Sequence, residues 1–169
     1  MFLYATGEHD YTSRTASVPP LISALHATIR RCIDVVPGAS GCGLSLLTTD
    51  GRRITSVATD RVAERLKALL DLHDENPCAT AWLRGATLWT DMPAADGGWD
   101  NWQADVRALG VKSVLTVSLA DNTRQLGVLI LYSTAGSALR PADATALDTV
   151  AAQSAAEIAA CQSPARAAA

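Results

Sequence analysis

The pair Asp50-Gly51 most constrains how this chain can fold. It stands between "GCGLSLLTT" (41–49) and "RITSVAT" (53–59), two short runs with the composition of strands. Asp-Gly accepts the backbone angles of a tight turn, so the two runs must return on each other as an antiparallel hairpin. A second hairpin is written at 111–134: "VKSVLTVSLA" alternates at Leu115, Val117 and Leu119, "DNTRQ" turns, and "LGVLILYST" returns. A shorter strand, "ATLWTD", is expected at 86–91.

Hairpins cannot stand alone in water, and the remaining pattern supplies helices to cover them. Pro19-Pro20 opens one over residues 20–36, with Leu21, Leu25, Ile29 and Val36 on one face, widened by Ile22, Cys32 and Ile33. "PGAS" stops it. Asp60 is positioned to cap "RVAERLKALLDL", whose apolar face is Val62, Leu66, Leu69 and Leu70, with Glu64 and Lys67 outside. Pro77 suits the first turn of "PCATAWLRG", and Gly85 suits its C-terminal cap. "MPAADGG" is expected to be a loop and "WDNWQADVRALG" a short helix ended by Gly110. A last helix, 141–161, presents Leu147, Val150, Ala151, Ser154, Ile158 and Cys161. Antiparallel strands with segregated helices predict an α+β domain over residues 19–162. Residues 1–18 are read as a flexible arm and 163–169 as a tail.

Charge and composition narrow the function. The net charge is −3 with no Lys/Arg stripe, so direct nucleic-acid binding is not expected. No apolar run has the length of a membrane span, and "MFLY" is too short for a signal-peptide core; a cytoplasmic protein is expected. Cys32, Cys42, Cys78 and Cys161 form no C-x-x-C pair and fit no zinc motif, so no metal site is expected and the thiols should be reduced.

By this point the chain resembles a GAF domain over about residues 20–161, above all in "ALGVKSVLTVSLADNTRQLGVLILYST" (108–134). It is most similar to bacterial GAF domains that precede RNA-binding antiterminator domains of the ANTAR type. Pro77-Cys78 with Ala81, then Trp89 and Asp91, then Trp99, stand where that subgroup carries its motifs. Asn76 replaces a Gly of the pattern, Asp100 replaces a Pro, and residues 1–169 include no antiterminator domain. The resemblance implies a central antiparallel sheet of about five to six strands. The first and last helices would pack on one face and form a homodimer through 20–36 and 141–161. Short helices and loops would cover the other face and wall a ligand cavity. Other subfamilies match less well. The Asn-Lys-Phe-Asp-Glu signature of cyclic-nucleotide GAF domains is absent, Phe2 being the single Phe. No Cys is followed by the His usual at bilin attachment sites, and no Gly-His-x-x-Cys stretch of the sulfoxide reductases occurs.

The candidate ligand residues are Cys78, Trp82, Trp89, Asp91, Trp99, Trp102 and Ser113. The four Trp fall close together and offer flat faces and N–H donors to a small aromatic or heterocyclic ligand. The opposing reading is that they fill the cavity themselves. Cys78, at a helix start, would be a nucleophile only with a base and a lowered pKa; Asp74 and Glu75 oppose that, and His73 is the only neighbouring base in sequence. A packed thiol or pocket wall is the plainer reading. His73 as a haem ligand is the remaining cofactor reading; otherwise no motif names a cofactor. The function expected is a non-catalytic sensing or regulatory module of a bacterial signalling or transcription-control protein. The alternatives are a ligand-free dimerisation scaffold and a thiol redox enzyme using Cys78.

Overall fold

The computed structural model describes residues 20–92, 98–136 and 138–162; the arm, the tail and most of the loop at 92–98 lie outside them. The elements are α1 (Pro20–Val35), β1 (Gly41–Leu47), β2 (Arg53–Ala58), α2 (Arg61–Leu72), α3 (Pro77–Arg84), β3 (Thr87–Asp91), α4 (Asp100–Ala108), β4 (Ser113–Ala120), β5 (Gln125–Ser133) and α5 (Asp143–Gln162). The strands form one antiparallel sheet in the order β2-β1-β5-β4-β3. Both hairpins form, and β1 and β5, from different hairpins, join them at the centre of the sheet.

The first turn is closed by Thr48 N–H donating to the Arg52 carbonyl at 2.8 Å. Gly51 occupies the positive-φ position (φ 83°) at its end, and the register shifts between Leu46 and Leu47. The Asp-Gly signal therefore makes a loop over 49–51 with an adjacent irregularity, and this shift decides which face Arg53 joins.

Alternation along the strands divides the core in two. Cys42, Leu44 and Leu46 of β1, Leu115, Val117 and Leu119 of β4, and Leu129 and Leu131 of β5 face α1 and α5, which contribute Leu25, Ile29, Leu147 and Ile158. Val114, Val128, Ile130 and Tyr132 face the other way, toward Leu66, Cys78, Trp102 and Val106 of the helices α2, α3 and α4. Each fully buried Leu or Ile contributes roughly 1.5–3 kcal/mol, so both layers are needed to stabilise the sheet. α1 and α5 pack on each other as well as on the sheet, joined by an ion pair of Arg31 with Glu157 at 2.5 Å.

Two expectations about single side chains are corrected. Lys67 is not outside α2; it is 3 % exposed. Gly43 beneath it has no side chain, and a Cβ there would come within 3.1 Å of Lys67 Cγ. The lysine stem fills that groove, while its ammonium reaches Ser56 Oγ at 3.0 Å and Glu64 at 3.2 Å. Cys161 is exposed, because the buried stripe of α5 ends at Ile158.

Candidate functional site

Three local devices position α3 over the sheet. Asn76 caps it: Oδ1 accepts from Ala79 N–H at 2.8 Å, and Nδ2 donates to the His73 carbonyl at 2.8 Å. Pro77 takes the first turn. Gly85 closes the helix in the left-handed conformation (φ 59°), its N–H donating to the Ala81 carbonyl. Asn76, the departure from the Gly of the sequence pattern, is thus the residue that fixes the start of α3.

Between α3, the end of α2 and the first hairpin lies a cleft of about 160 Å³. Ser45, Leu47 and Val128 of the sheet line it, with Cys78 and Trp82 of α3 and Arg53 of β2. Asp71 stands at the side and bonds Arg53 Nη1 at 2.8 Å, while Arg53 Nη2 donates to the Lys67 carbonyl at 3.0 Å. Two polar atoms of these lining residues, Arg53 Nε and Ser45 Oγ, are buried without a partner. A wider groove of about 330 Å³ lies beyond Asn76, lined by Asp74, Glu75, Thr80, Leu83 and Trp99. Its exposed acidic and apolar walls make it a surface feature.

The seven sequence candidates separate into four places. Cys78 and Trp82 line the cleft. Trp99 lines the outer groove, at the start of α4. Trp102 is fully buried in the core below α4, with its Nε1 unpartnered. Trp89, Asp91 and Ser113 belong to the other side of the sheet. Trp89 pairs with Leu115, and Asp91 with Ser113, all on the face that meets α1 and α5. Trp89 Nε1 donates to the Leu139 carbonyl at 3.0 Å, and Ser113 is 1 % exposed. The expected single Trp-lined cavity is therefore corrected: pleating sends Trp89 away from it, and helical rotation sends Trp102 into the core. Sequence reasoning missed Arg53, Ser45 and Asp71. Arg53 reads as an ordinary strand-edge residue until the register shift turns it inward.

The cysteine chemistry is legible in the geometry. Cys78 is 3 % exposed, and burial pushes its thiol up to about 12, with Arg53 opposing only in part. His73 does not serve it: its Nε2 is held by Asp105 of α4 at 2.7 Å. Cys32 and Cys42 are buried together in the opposite core, where burial and the Cys32 thiol push Cys42 upward. Among the described residues no group of His, Cys, Asp and Glu is placed to hold a metal ion. No described helix is long and apolar enough to cross a membrane.

A family model for the GAF domain matches residues 20–159. The chain is a GAF domain. A comparison with curated proteins finds no match. Among solved structures, the GAF domain/HD domain protein from Geobacter sulfurreducens is similar at 16 % identity and TM-score 0.64, over 84 % of this chain and 94 % of that one. The GAF domain of a two-component sensor histidine kinase from Bacillus halodurans is similar at 12 % identity and TM-score 0.59, over 85 % and 96 %. A type II free methionine-R-sulfoxide reductase from Thermoplasma acidophilum is similar at 12 % identity and TM-score 0.54, over 82 % and 94 %. At such identities these likenesses establish the GAF fold and nothing finer.

Proposed function

We propose that this GAF domain is the non-catalytic, small-molecule-sensing module of a bacterial signalling or transcription-control protein, acting in the cytoplasm as a homodimer. The observation that carries the reading is the cleft under α3, which joins Trp82 and apolar side chains to the polar residues Ser45, Arg53 and Asp71. Ligand pockets combine mostly apolar walls with a few fixed polar groups, and this cleft has that composition.

The same strands that floor the cleft give a physical route outward. Ser45, Leu47 and Val128 point into it, and their neighbours Leu44, Leu46 and Leu129 pack under α1 and α5. A ligand that favours one position of β1 and β5 would thereby favour one packing of the terminal helices, which is a population shift between two states. The sensor-kinase neighbour and the sequence resemblance to GAF domains that precede antiterminator domains support a regulatory role. The acidic balance supports a protein or small-molecule partner over nucleic acid. The high thiol pKa of Cys78 and the engagement of His73 by Asp105 support a binding role over a catalytic one.

A scaffold reading is favoured by one observation: Trp102 and Met92 fill the space beneath α4 with no exposed surface of consequence. Titrating the protein with small metabolites separates the two. The sensor gives a saturable change in Trp82 emission with a raised melting temperature, because a ligand at about 100 times its Kd adds roughly 2.7 kcal/mol to the native state. A scaffold gives neither, while light scattering still reports a dimer. A monomer by light scattering removes the homodimer.

A further inference from the structure

The groove beyond Asn76 is separate from the cleft. Asn76 and Ala79 line both, so the first turn of α3 is the wall between them. Trp82 stands on the cleft side of that wall and Trp99 on the groove side.

Charge sets the first limit on what the groove can take. Asp74 and Glu75 line it, both exposed, and among the described residues no Lys or Arg does. Neither acid enters an ion pair among the described residues. The dipole of α3 favours acids near its start, but Asn76 already caps that end. An anionic occupant is opposed here, whether a nucleic acid or an anionic lipid surface, and a cationic one is favoured.

Apolar exposure sets the second. Leu83, one turn beyond Ala79 on α3, lines the groove and is 82 % exposed. Trp99 holds the N-cap position of α4 and makes no side-chain cap bond. Ser, Thr, Asp or Asn would serve the helix better there, so capping does not account for the Trp. Its ring packs in part on the core beneath α4 and in part walls the groove. An isolated exposed Leu is ordinary. A Leu and a Trp sharing one acidic groove suit a partner that is both apolar and basic, because the face of an indole attracts Arg and Lys.

Enclosure sets the third. The groove holds about 330 Å³, but Asp74, Glu75, Leu83 and Gly98 on its walls are all exposed. A small-molecule site buries most of its ligand, and this groove does not. Its occupant must bring covering surface of its own, as a segment of a larger molecule does.

We infer that the groove beside α3 is a docking site for a basic, amphipathic segment of a partner protein. An Arg or Lys of the partner lies against Trp99 beside Asp74 and Glu75, and an apolar side chain covers Leu83. The assignment does not depend on a ligand in the cleft.

The test titrates the full chain with the peptide Leu-Arg-Ala-Leu-Arg-Ala, blocked at both ends, following the NMR signals of the indole N–H groups. The peptide is expected to bind with a Kd of about 1 mM or tighter, shifting Trp99 and leaving Trp82 in place. Leu83→Ser should weaken it by about tenfold, the worth of one covered leucine. Glu75→Gln should weaken it by about threefold, and Asp34→Asn, an equal change of charge on exposed α1, should leave it unchanged. No binding at millimolar peptide overturns the inference. So does equal binding of the peptide with Glu in place of Arg, or an equal loss in Asp34→Asn, which would mean general attraction to an acidic protein. A dimer that Leu83→Ser turns into a monomer, by light scattering, would give the groove to a second copy of this chain and overturn it too. The sensing reading is judged separately, by the response of Trp82 to metabolites, so either can fail while the other stands.

Discussion

Trp82 and Trp89, close neighbours in sequence, stand on opposite sides of the sheet. Trp82 is on α3 and walls the cleft; Trp89 is on β3, beside Leu115, with its Nε1 donating to the Leu139 carbonyl at 3.0 Å. The GAF domain thus has one aromatic reporter beside the candidate site and another beside the helix pair α1 and α5. Signals from the two faces can be read separately.

That division makes a direct prediction. Trp82→Ala should reduce the fluorescence response to a cleft ligand and weaken its binding. Trp89→Phe should leave affinity unchanged, and at a cost of about 1 kcal/mol from the lost hydrogen bond. Equal losses of affinity in both variants would contradict the placement of the site.

The four cysteines should react in an order set by burial and not by motif. Cys161 is exposed, and Cys32, Cys42 and Cys78 are buried. With its pKa pushed up to about 12, Cys78 stays a thiol between pH 7 and 9. Native protein treated with iodoacetamide should show one rapid modification, at Cys161, by peptide mass spectrometry. Rapid alkylation of Cys78 rising with pH through that range would restore the thiol-enzyme reading.

Much of this GAF domain is readable from its sequence because the signals are local. Asp60, Asn76, Pro77 and Gly85 cap or bound helices through contacts within a few residues of themselves, and alternation at Leu115, Val117 and Leu119 marks a face directly. The cleft was less legible because it depends on non-local register. Arg53 turns inward only after the shift between Leu46 and Leu47, and Trp89 turns outward only because it pairs with Leu115. Lys67 becomes a buried residue because Gly43, on another element, leaves room for its stem. Periodicity identifies the face of an element, but it does not say which element stands opposite.

Asp60 and Tyr132 tie the start of α2 to the centre of the sheet. Asp60 Oδ1 accepts from Val62 and Ala63 N–H at 2.8 and 3.0 Å and from the Tyr132 hydroxyl at 2.7 Å, and Oδ2 accepts from Thr59. Burial pushes the Asp60 carboxyl up, but these hydrogen bonds outweigh it and hold the group below its usual range. Asp60→Ala removes a helix cap and leaves the Tyr132 hydroxyl unmatched, for a combined loss of roughly 2–4 kcal/mol. Tyr132→Phe should cost about 1 kcal/mol. The double variant should lose less than the sum of the two. Because the folded pKa is depressed, the stabilisation is complete above the unfolded value near ~3.9 and is lost as pH falls through the folded value. The stability gap between the wild type and Asp60→Asn should therefore narrow on acidification below about pH 4, measured by urea denaturation. A gap that widens there contradicts the role given to the carboxylate.

Lys67 offers the reverse case. Burial lowers its pKa, and Glu64 restores it only in part. Since the unfolded lysine keeps its proton to a higher pH than the folded one, folding becomes more favourable as pH climbs through the folded value, up to the unfolded value near ~10.4. Lys67→Met fits the same groove above Gly43 and removes this dependence. It strands no buried charge, because Glu64 is mostly exposed, and the Arg53 bond to the Lys67 carbonyl is retained. Replacing a desolvated ammonium by an apolar chain of similar length is expected to leave stability at pH 7 within about 1 kcal/mol of wild type or to raise it. Urea denaturation between pH 7 and 10.5 should then show the wild type gaining on the variant as pH rises. A variant that loses several kcal/mol at pH 7 would mean that the ammonium bond to Ser56 Oγ, at 3.0 Å, outweighs the cost of burying the charge.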